Sequence, residues 1–287
     1  MKFSIVTPSF NQGRFLERCM RSVLEQEAGE VEYIVVDGGS TDKSVPTIEK
    51  YSSRLAYWTS RPDRGYADAL NDGFARAGGE IMGWINSDDM LTPWALRVAE
   101  SVFRALPEVQ WITTLYPLVM DEDGMIIAAR RGEGYNAKAF YRGRNVPFTT
   151  GFYTSVIQQE STFWRRELWE KAGASMEANL RMAADFELWA RFFRHADLYA
   201  VGVPLGCFRF QKESFTSSRM DSYLEECRTV LTRYPYRPPA GIERTARRIA
   251  RHFPSRLYPS TGLAYPVGII RQEGRGSQWK IAREWIL

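Results

Sequence analysis

The stretch Ile81–Asp89, IMGWINSDD, passes from an apolar run straight into Asn86-Ser87-Asp88-Asp89. The run Ile81 to Ile85 reads as a buried strand, and the two adjacent Asp residues beyond it repel each other and favour neither strand nor helix. Carboxylates placed where a strand must end therefore call for a reason. Hard carboxylate oxygens suit Mg²⁺ or Mn²⁺, and a cation holding a diphosphate there removes the repulsion. Alternatively, Asp89 caps the helix that begins near Pro93 and Asp88 pairs with an arginine. The strand end by itself leaves both readings open.

Working outward, the same pattern of short β-branched runs and amphipathic helical stretches repeats. Strands are expected over Phe3–Thr7, Tyr33–Val36, Leu55–Thr59 and Ile81–Ile85, and helices over Arg14–Glu25, Lys43–Tyr51 and Tyr66–Ala77. This alternation predicts βαβ units around a mostly parallel sheet. Ligands of such sheets collect beyond the carboxyl ends of the strands. Thr7 to Asn11, Asp37 to Asp42, Arg61 to Gly65 and Asn86 to Asp89 all fall there. Helix capping accounts for Ser9, Ser40 and Asp42 singly, but not for polar clusters sharing one rim.

Further along, a helix from Pro93 to Ala105, a strand at Val109–Thr113 and a hairpin over Val119–Ala129 are expected. Gly132–Gly151 reads as a long loop. A helix from Arg166, another ending near His195, and strands at Leu198–Val201 and Gly206–Phe210 follow. Pro235, Pro238 and Pro239 mark a linker. Arg244, Arg247, Arg248 and Arg251 are spaced as one basic helix face, with Ile242, Ile249 and Phe253 on another. Trp279, Ala282, Trp285 and Ile286 repeat an amphipathic helical spacing. Such helices lie on anionic bilayers or pack on the catalytic domain.

Bulk composition narrows the class. At 287 residues, 44% hydrophobic and 25% charged, the chain is globular in character, and a net charge of +4 gives no case for nucleic acid. The 14% aromatic content, with nine Trp, points to an aromatic core or aromatic-lined surfaces. Three cysteines without CxxC spacing suggest neither a zinc knuckle nor a disulfide framework, and fit a reducing compartment. Neither a leader peptide nor an apolar run of about 18 residues is visible. A cytoplasmic location, at most peripheral on the inner face of a membrane, is expected. GxGxxG and GxxxxGK[ST] loops are absent, and two histidines supply a zinc site or a Ser-His-Asp triad poorly.

The ordered blocks VTPSFNQGRFLERCMRSVLEQ, YIVVDGGSTDKS, SRPDRGYADALNDGFARAGGEIMGWINSDDMLTP, QESTFWRREL and AADFELWARFF resemble the family 2 glycosyltransferases of the GT-A fold. The resemblance spans about Lys2 to Ser218. It implies inverting transfer of a sugar from a nucleotide diphosphate to an acceptor hydroxyl. By the same resemblance Thr7, Pro8, Ser9 and Asn11 form the first donor loop, Asp37 reads the base, and Arg61, Asp63 and Arg64 contact base and phosphate. Asn86-Ser87-Asp88 corresponds to the Asp-x-Asp element, with Asp88 the ligand of Mn²⁺ or Mg²⁺. Asn86 replaces the first carboxylate, and Gln211 stands where many members carry a histidine.

Asp185 resembles the catalytic base, which the reaction requires because an alcohol attacks well only as its proton leaves. Glu187 competes with it. An ordinary Asp, with a pKa of about 4, is already ionised at neutral pH. Glu160, Trp164, Glu187, Trp189 and Arg209 are candidates for the acceptor side, Trp164 and Trp189 as sugar-stacking rings. The expected organisation is a donor half over 1–115, an acceptor and catalytic half over 116–220, and a basic helical extension over 221–287. The expected activity is non-processive transfer, with UDP or dTDP donors and glycan, glycolipid or protein acceptors. An inactive sugar-nucleotide-binding protein and a sugar-1-phosphate nucleotidyltransferase are the rivals, the latter wanting a Gly- and Lys-bearing loop that TPSFNQGR does not supply.

Overall fold

A computed structural model describes residues 1–147, 156–211, 219–234, 241–250, 252, 255–273 and 278–287. The end of the Gly132–Gly151 segment, the prolines at 235, 238 and 239, Arg251 and Phe253 lie outside these, as do the side chains of Arg244 and Arg248. The amino-terminal half alternates as its periodicity predicts: β1 (Lys2–Ser9), α1 (Leu16–Leu24), β2 (Glu30–Asp37), α2 (Ser44–Tyr51), β3 (Tyr57–Ser60), α3 (Tyr66–Phe74) and β4 (Ile81–Trp84). Helix α1 shows why: Leu16, Cys19, Met20 and Val23 recur at helical spacing and are all buried.

The strands β1, β2, β3 and β4 pair in parallel, in the order β3-β2-β1-β4. The chain therefore reverses its direction of growth between β1 and β4, the crevice where open sheets bind ligands. Alternate residues of β1 and β2 feed two cores. Val6, Ile34 and Val36 face one, while Phe3, Ile5, Tyr33 and Val35 face the other. Gly73 of α3 lies so close to Val6 that a Cβ there would overlap its side chain, which seats the helix on the sheet.

A short β5 (Met90–Leu91) and α4 (Ala95–Ala105) lead to β6 (Trp111–Thr114) and the hairpin β7 (Leu118–Met120) and β8 (Ile126–Ala129). Asn136 caps α5 (Ala137–Tyr141), its Oδ1 accepting from the N–H groups of Lys138 and Ala139. A helix thus stands where the sequence suggested only loop. Then come β9 (Phe163–Arg165), α6 (Arg166–Lys171), α7 (Ala184–Phe192), β10 (Leu198–Val201) and β11 (Gly206–Arg209). Strand β9 runs antiparallel between β4 and β6.

The carboxyl-terminal region departs from expectation. Helices α8 (Met220–Thr232) and α9 (Gly241–Ala250) form, but β12 (Tyr265–Glu273) and β13 (Gln278–Ile286) are an antiparallel hairpin. Strand β12 adds in parallel to β10, completing the sheet order β13-β12-β10-β6-β9-β4-β1-β2-β3 among the described residues. Trp279 is therefore buried in a strand, its Nε1 donating to Ser101 Oγ of α4 at 2.8 Å. The basic face also loses a member. Arg247 turns inward to Glu243 and the Tyr265 hydroxyl. Among the described residues no helix is long and apolar enough to cross a membrane.

The aromatic residues are mostly core. Trp189 stacks between Trp84 and Trp111, each at 5.5 Å, and Trp164 and Phe192 pack edge-on against the group.

Candidate active site

The carboxyl ends of β1, β2 and β4 open onto a cavity of about 990 Å³, walled on its far side by residues 156–160, the loop before α7 and the start of α8. That is at the upper end of the range for ligand pockets. Pro8, Ser9, Asp63, Arg64, Asn86, Ser87, Asp88, Glu160 and Asp185 all line it. Residues about 180 positions apart in the chain thus meet around one space.

Each loop is built by its own polar bonds. Asp37 is fully buried, and its carboxylate accepts from the Gly39 and Ser40 N–H groups and from the Ser40 and Ser60 hydroxyls. It shapes the loop and does not line the cavity, where the sequence expects it to read the base. Gly38 and Gly39 line the cavity, and Asp63 lies directly over Gly38, where a Cβ would stand 3.0 Å from its Oδ2. Burial raises the Asp63 pKa. Thr7 is also buried, hydrogen-bonded to the Tyr33 hydroxyl at 2.9 Å. Asn11, at φ 52°, ties its loop to the next, its Oδ1 accepting from the Thr41 N–H and its own N–H donating to Ser40 Oγ. Neither lines the cavity, and both are corrected to supporting positions.

Of the cations, Arg64 lies at the rim and pairs with Asp68 at 2.6 Å, whereas Arg61 is drawn off to Asp72 at 3.1 Å. Phe10 and Arg181 line the cavity without being among the residues expected to bind the donor. Phe10, 61% exposed, presents an aromatic ring at the mouth, and Arg181 brings a second guanidinium to the rim. A large apolar residue left in solvent beside polar neighbours was the signal for Phe10.

At the end of β4 the two carboxylates separate. Asp89 is buried, and its Oδ1 accepts from the Arg209 N–H at 2.8 Å. Asp88 faces the cavity, with Gln211 Nε2 donating to its Oδ2 at 2.7 Å. Glu160 is buried beside them, and its Oε1 has no hydrogen-bond partner among the described residues. Burial raises all three carboxyls. The Asp88 charge raises Asp89 and Glu160 further, and Glu160 is pushed up to about 8. Arg209 lies beside them, but its Nε and Nη1 are spent on the backbone carbonyls of Asp88, Asp121 and Glu122. It is fully buried and does not line the cavity.

This cluster bears on a divalent cation. No group of three His, Cys, Asp or Glu side chains poised for a metal exists among the described residues. A hard cation held by the Asp88 carboxylate, its shell completed by ligand oxygens, fits the donor set and relieves the crowded carboxyls.

Opposite, Asp185 sits at the start of α7 with its Oδ1 buried and its Oδ2 3.5 Å from the Tyr223 hydroxyl. Burial pushes its pKa up to about 6, against the ordinary value expected from sequence. Three other candidates are corrected. Glu187 points away and pairs with Arg191 at 2.9 Å, as its place two residues along the helix dictates. Trp164 and Trp189 are fully buried in the aromatic core and do not line the cavity.

The layered sheet and this rim site define a glycosyltransferase of the GT-A type. The model of the family "Glycosyl transferase family 2" matches residues 4–172, and the chain belongs to that family. It is 30% identical to an uncharacterised glycosyltransferase of Mycobacterium tuberculosis over 71% of this chain and 72% of that one. It is also 30% identical over 141 residues to the hyaluronan synthase of Pasteurella multocida, of which it spans 14%. Among solved structures, S. aureus TarS 1–349 in complex with UDP-GlcNAc superposes with a TM-score of 0.62 at 16% identity, covering 90% of this chain and 73% of that one. The mannosyltransferase of Pyrobaculum calidifontis in complex with GDP-Man and Mn²⁺ gives 0.60 at 19% identity, covering 83% and 66%.

Proposed function

We propose that the protein is an inverting, non-processive glycosyltransferase that moves the sugar of a UDP- or dTDP-sugar to a hydroxyl of a glycan, glycolipid or protein during surface polysaccharide assembly. The observation that carries this is the pairing across one cavity of Asp88, on the donor rim, with Asp185, a carboxylate made more basic by burial. Residues 1–115 supply the donor loops and 116–220 the acceptor wall. The segment after 220 supports both.

In this reading Phe10 stacks on the base and Asp63 accepts the imide N–H of uracil or thymine. Arg64 and Arg181 face the diphosphate. The acceptor oxygen attacks the anomeric carbon from the side opposite the diphosphate, its proton passes to Asp185, and the bond to the phosphate oxygen breaks with its electron pair leaving on the diphosphate. Attack from behind inverts the anomeric centre. A divalent cation held by Asp88 supplies, when bound, positive charge that stabilises the departing diphosphate.

Thermal shift of the protein with UDP, dTDP, GDP and CMP, each with and without Mn²⁺, tests the donor site. Stabilisation by one uracil or thymine diphosphate, larger with Mn²⁺, is expected. Stabilisation by GDP alone would overturn the base assignment, and binding without turnover on any acceptor would favour a sugar-nucleotide-binding protein. Asp185→Asn is expected to abolish transfer and keep UDP binding.

We also propose contact with an anionic bilayer through α9, where Ile242 and Ile249, 86% and 57% exposed, stand two turns apart on one face. Co-sedimentation with vesicles containing phosphatidylglycerol is expected. Equal recovery with purely zwitterionic vesicles would sink the idea.

A further inference from the structure

Helix α7 begins without a cap of its own. Its N-cap residue is Ala183, which has no side-chain acceptor. The N–H groups that a helix start leaves unsatisfied are met here by another helix. Glu226 of α8 accepts from the N–H of Arg181 at 3.1 Å and from those of Met182 and Ala183, each at 2.9 Å. The next N–H, of Ala184, donates to the Tyr66 hydroxyl at 2.9 Å, which in turn donates to the Met182 carbonyl at 3.2 Å. The four peptides leading into Asp185 are thus gripped by two side chains from elsewhere in the chain.

One turn before Glu226, on the same face of α8, Tyr223 is buried at the cavity wall with its hydroxyl 3.5 Å from Asp185 Oδ2. Both residues lie beyond the 4–172 span that the family model matches. We propose that Tyr223 and Glu226 are positioning residues, Glu226 fixing the backbone before Asp185 and Tyr223 orienting its carboxylate, so that α8 completes the catalytic site. This rests on the reading of Asp185 as the base.

The groups facing Asp185 are Tyr66 of α3, Glu160, and Tyr223, Glu226 and Cys227 of α8. The two positioning residues act on it in opposite senses. The Tyr223 hydroxyl donates to the carboxylate and favours the charged form, whereas the Glu226 charge disfavours it. A purely structural role would move folding stability but would not split the two variants in this way.

The test is a ¹³C-carboxylate NMR titration of the full chain, with Asp185 assigned from the resonance lost in Asp185→Asn. Tyr223→Phe is expected to raise the Asp185 midpoint and Glu226→Gln to lower it, each by about half a pH unit or more. In parallel, UDP release from UDP-glucose with Mn²⁺ is expected to lose about tenfold in kcat in Tyr223→Phe, with donor KM unchanged. Midpoints that stay at the wild-type value, or that move together, would overturn the proposal. Wild-type UDP release by Asp185→Asn would overturn the base reading instead, and the titration would still decide whether Tyr223 and Glu226 position that carboxylate.

Discussion

The backbone N–H of Arg209 donates to Asp89 Oδ1 at 2.8 Å while the Arg209 guanidinium holds the Asp88 carbonyl at 2.6 Å. One strand residue thus fixes both adjacent aspartates and assigns them different tasks. Asp89 is spent on the fold, and Asp88 is left facing the cavity.

The two should separate on mutation. Asp88→Asn is expected to leave the ligand-free melting midpoint unchanged or raised, because it removes a half-buried charge, and to abolish the extra stabilisation that Mn²⁺ adds to UDP. At about 100 times its dissociation constant a ligand contributes about 2.7 kcal/mol, so the lost increment is several degrees. Asp89→Ala is expected to lower the ligand-free midpoint itself, since it leaves the Arg209 N–H unpaired. Identical profiles for the two variants would contradict the division.

Glu160 makes stability depend on pH in an unusual direction. Its folded pKa, about 8, lies above the value of about 4.5 expected in the unfolded chain, so between those limits the folded state holds a proton that the unfolded state has released. Stability is therefore full below the lower value and is lost as pH rises through 8. In EDTA, Glu160→Gln is expected to melt several degrees above wild type at pH 8.5 and close to it at pH 5. A gap that does not grow with pH would count against this assignment.

Turnover should fall on the acid side near pH 6, where the Asp185 carboxylate takes up a proton and can no longer accept one from the acceptor hydroxyl. Below that point kcat is expected to drop about tenfold per pH unit. A plateau reaching down to pH 4.5 would exclude a buried Asp of this basicity from the rate-limiting proton transfer.

Gly206 sits where a Cβ would overlap the carbonyl of Glu160, which no backbone adjustment in a paired strand easily relieves. Gly206→Ala is expected to cost about 1–3 kcal/mol and to weaken UDP binding by displacing the 159–161 turn. Calorimetric unfolding and UDP titration of the same variant would measure both.

The alternating half of the fold was legible because its periods are strong and local. From β1 to α4 each expected element forms within about three residues, as does the hairpin around Glu122-Asp123-Gly124. Strand β13 was not, because Trp279, Ala282 and Trp285 stand three apart, a helical spacing that in a strand puts Ala282 on the opposite face from the two Trp, and pairing with β12 overrides it. At the site, residue type and rim were legible, whereas side-chain direction was not. Asp37, Trp189 and Arg209 carry the chemistry expected of a site, yet the first closes a loop, the second fills the core and the third braces a strand end. Glu226 escaped notice because its partners, the N–H groups of residues 181–183, are backbone and leave no mark on side-chain patterns.

The β12–β13 hairpin also bears on how readily this sheet would recruit a foreign strand. Without it, Leu198–Val201 of β10, an apolar strand paired on its other side only to β6, would end the sheet with its ladder open. With it, the outermost strand is QWKIAREWI, whose Lys280, Arg283 and Glu284 put charge along the rim. Open apolar edges template association between copies, and charged ones discourage it. The hairpin is thus a seal against self-association, and a version of the protein trimmed after residue 211 would gain a sticky margin as well as losing the helix that carries Tyr223 and Glu226.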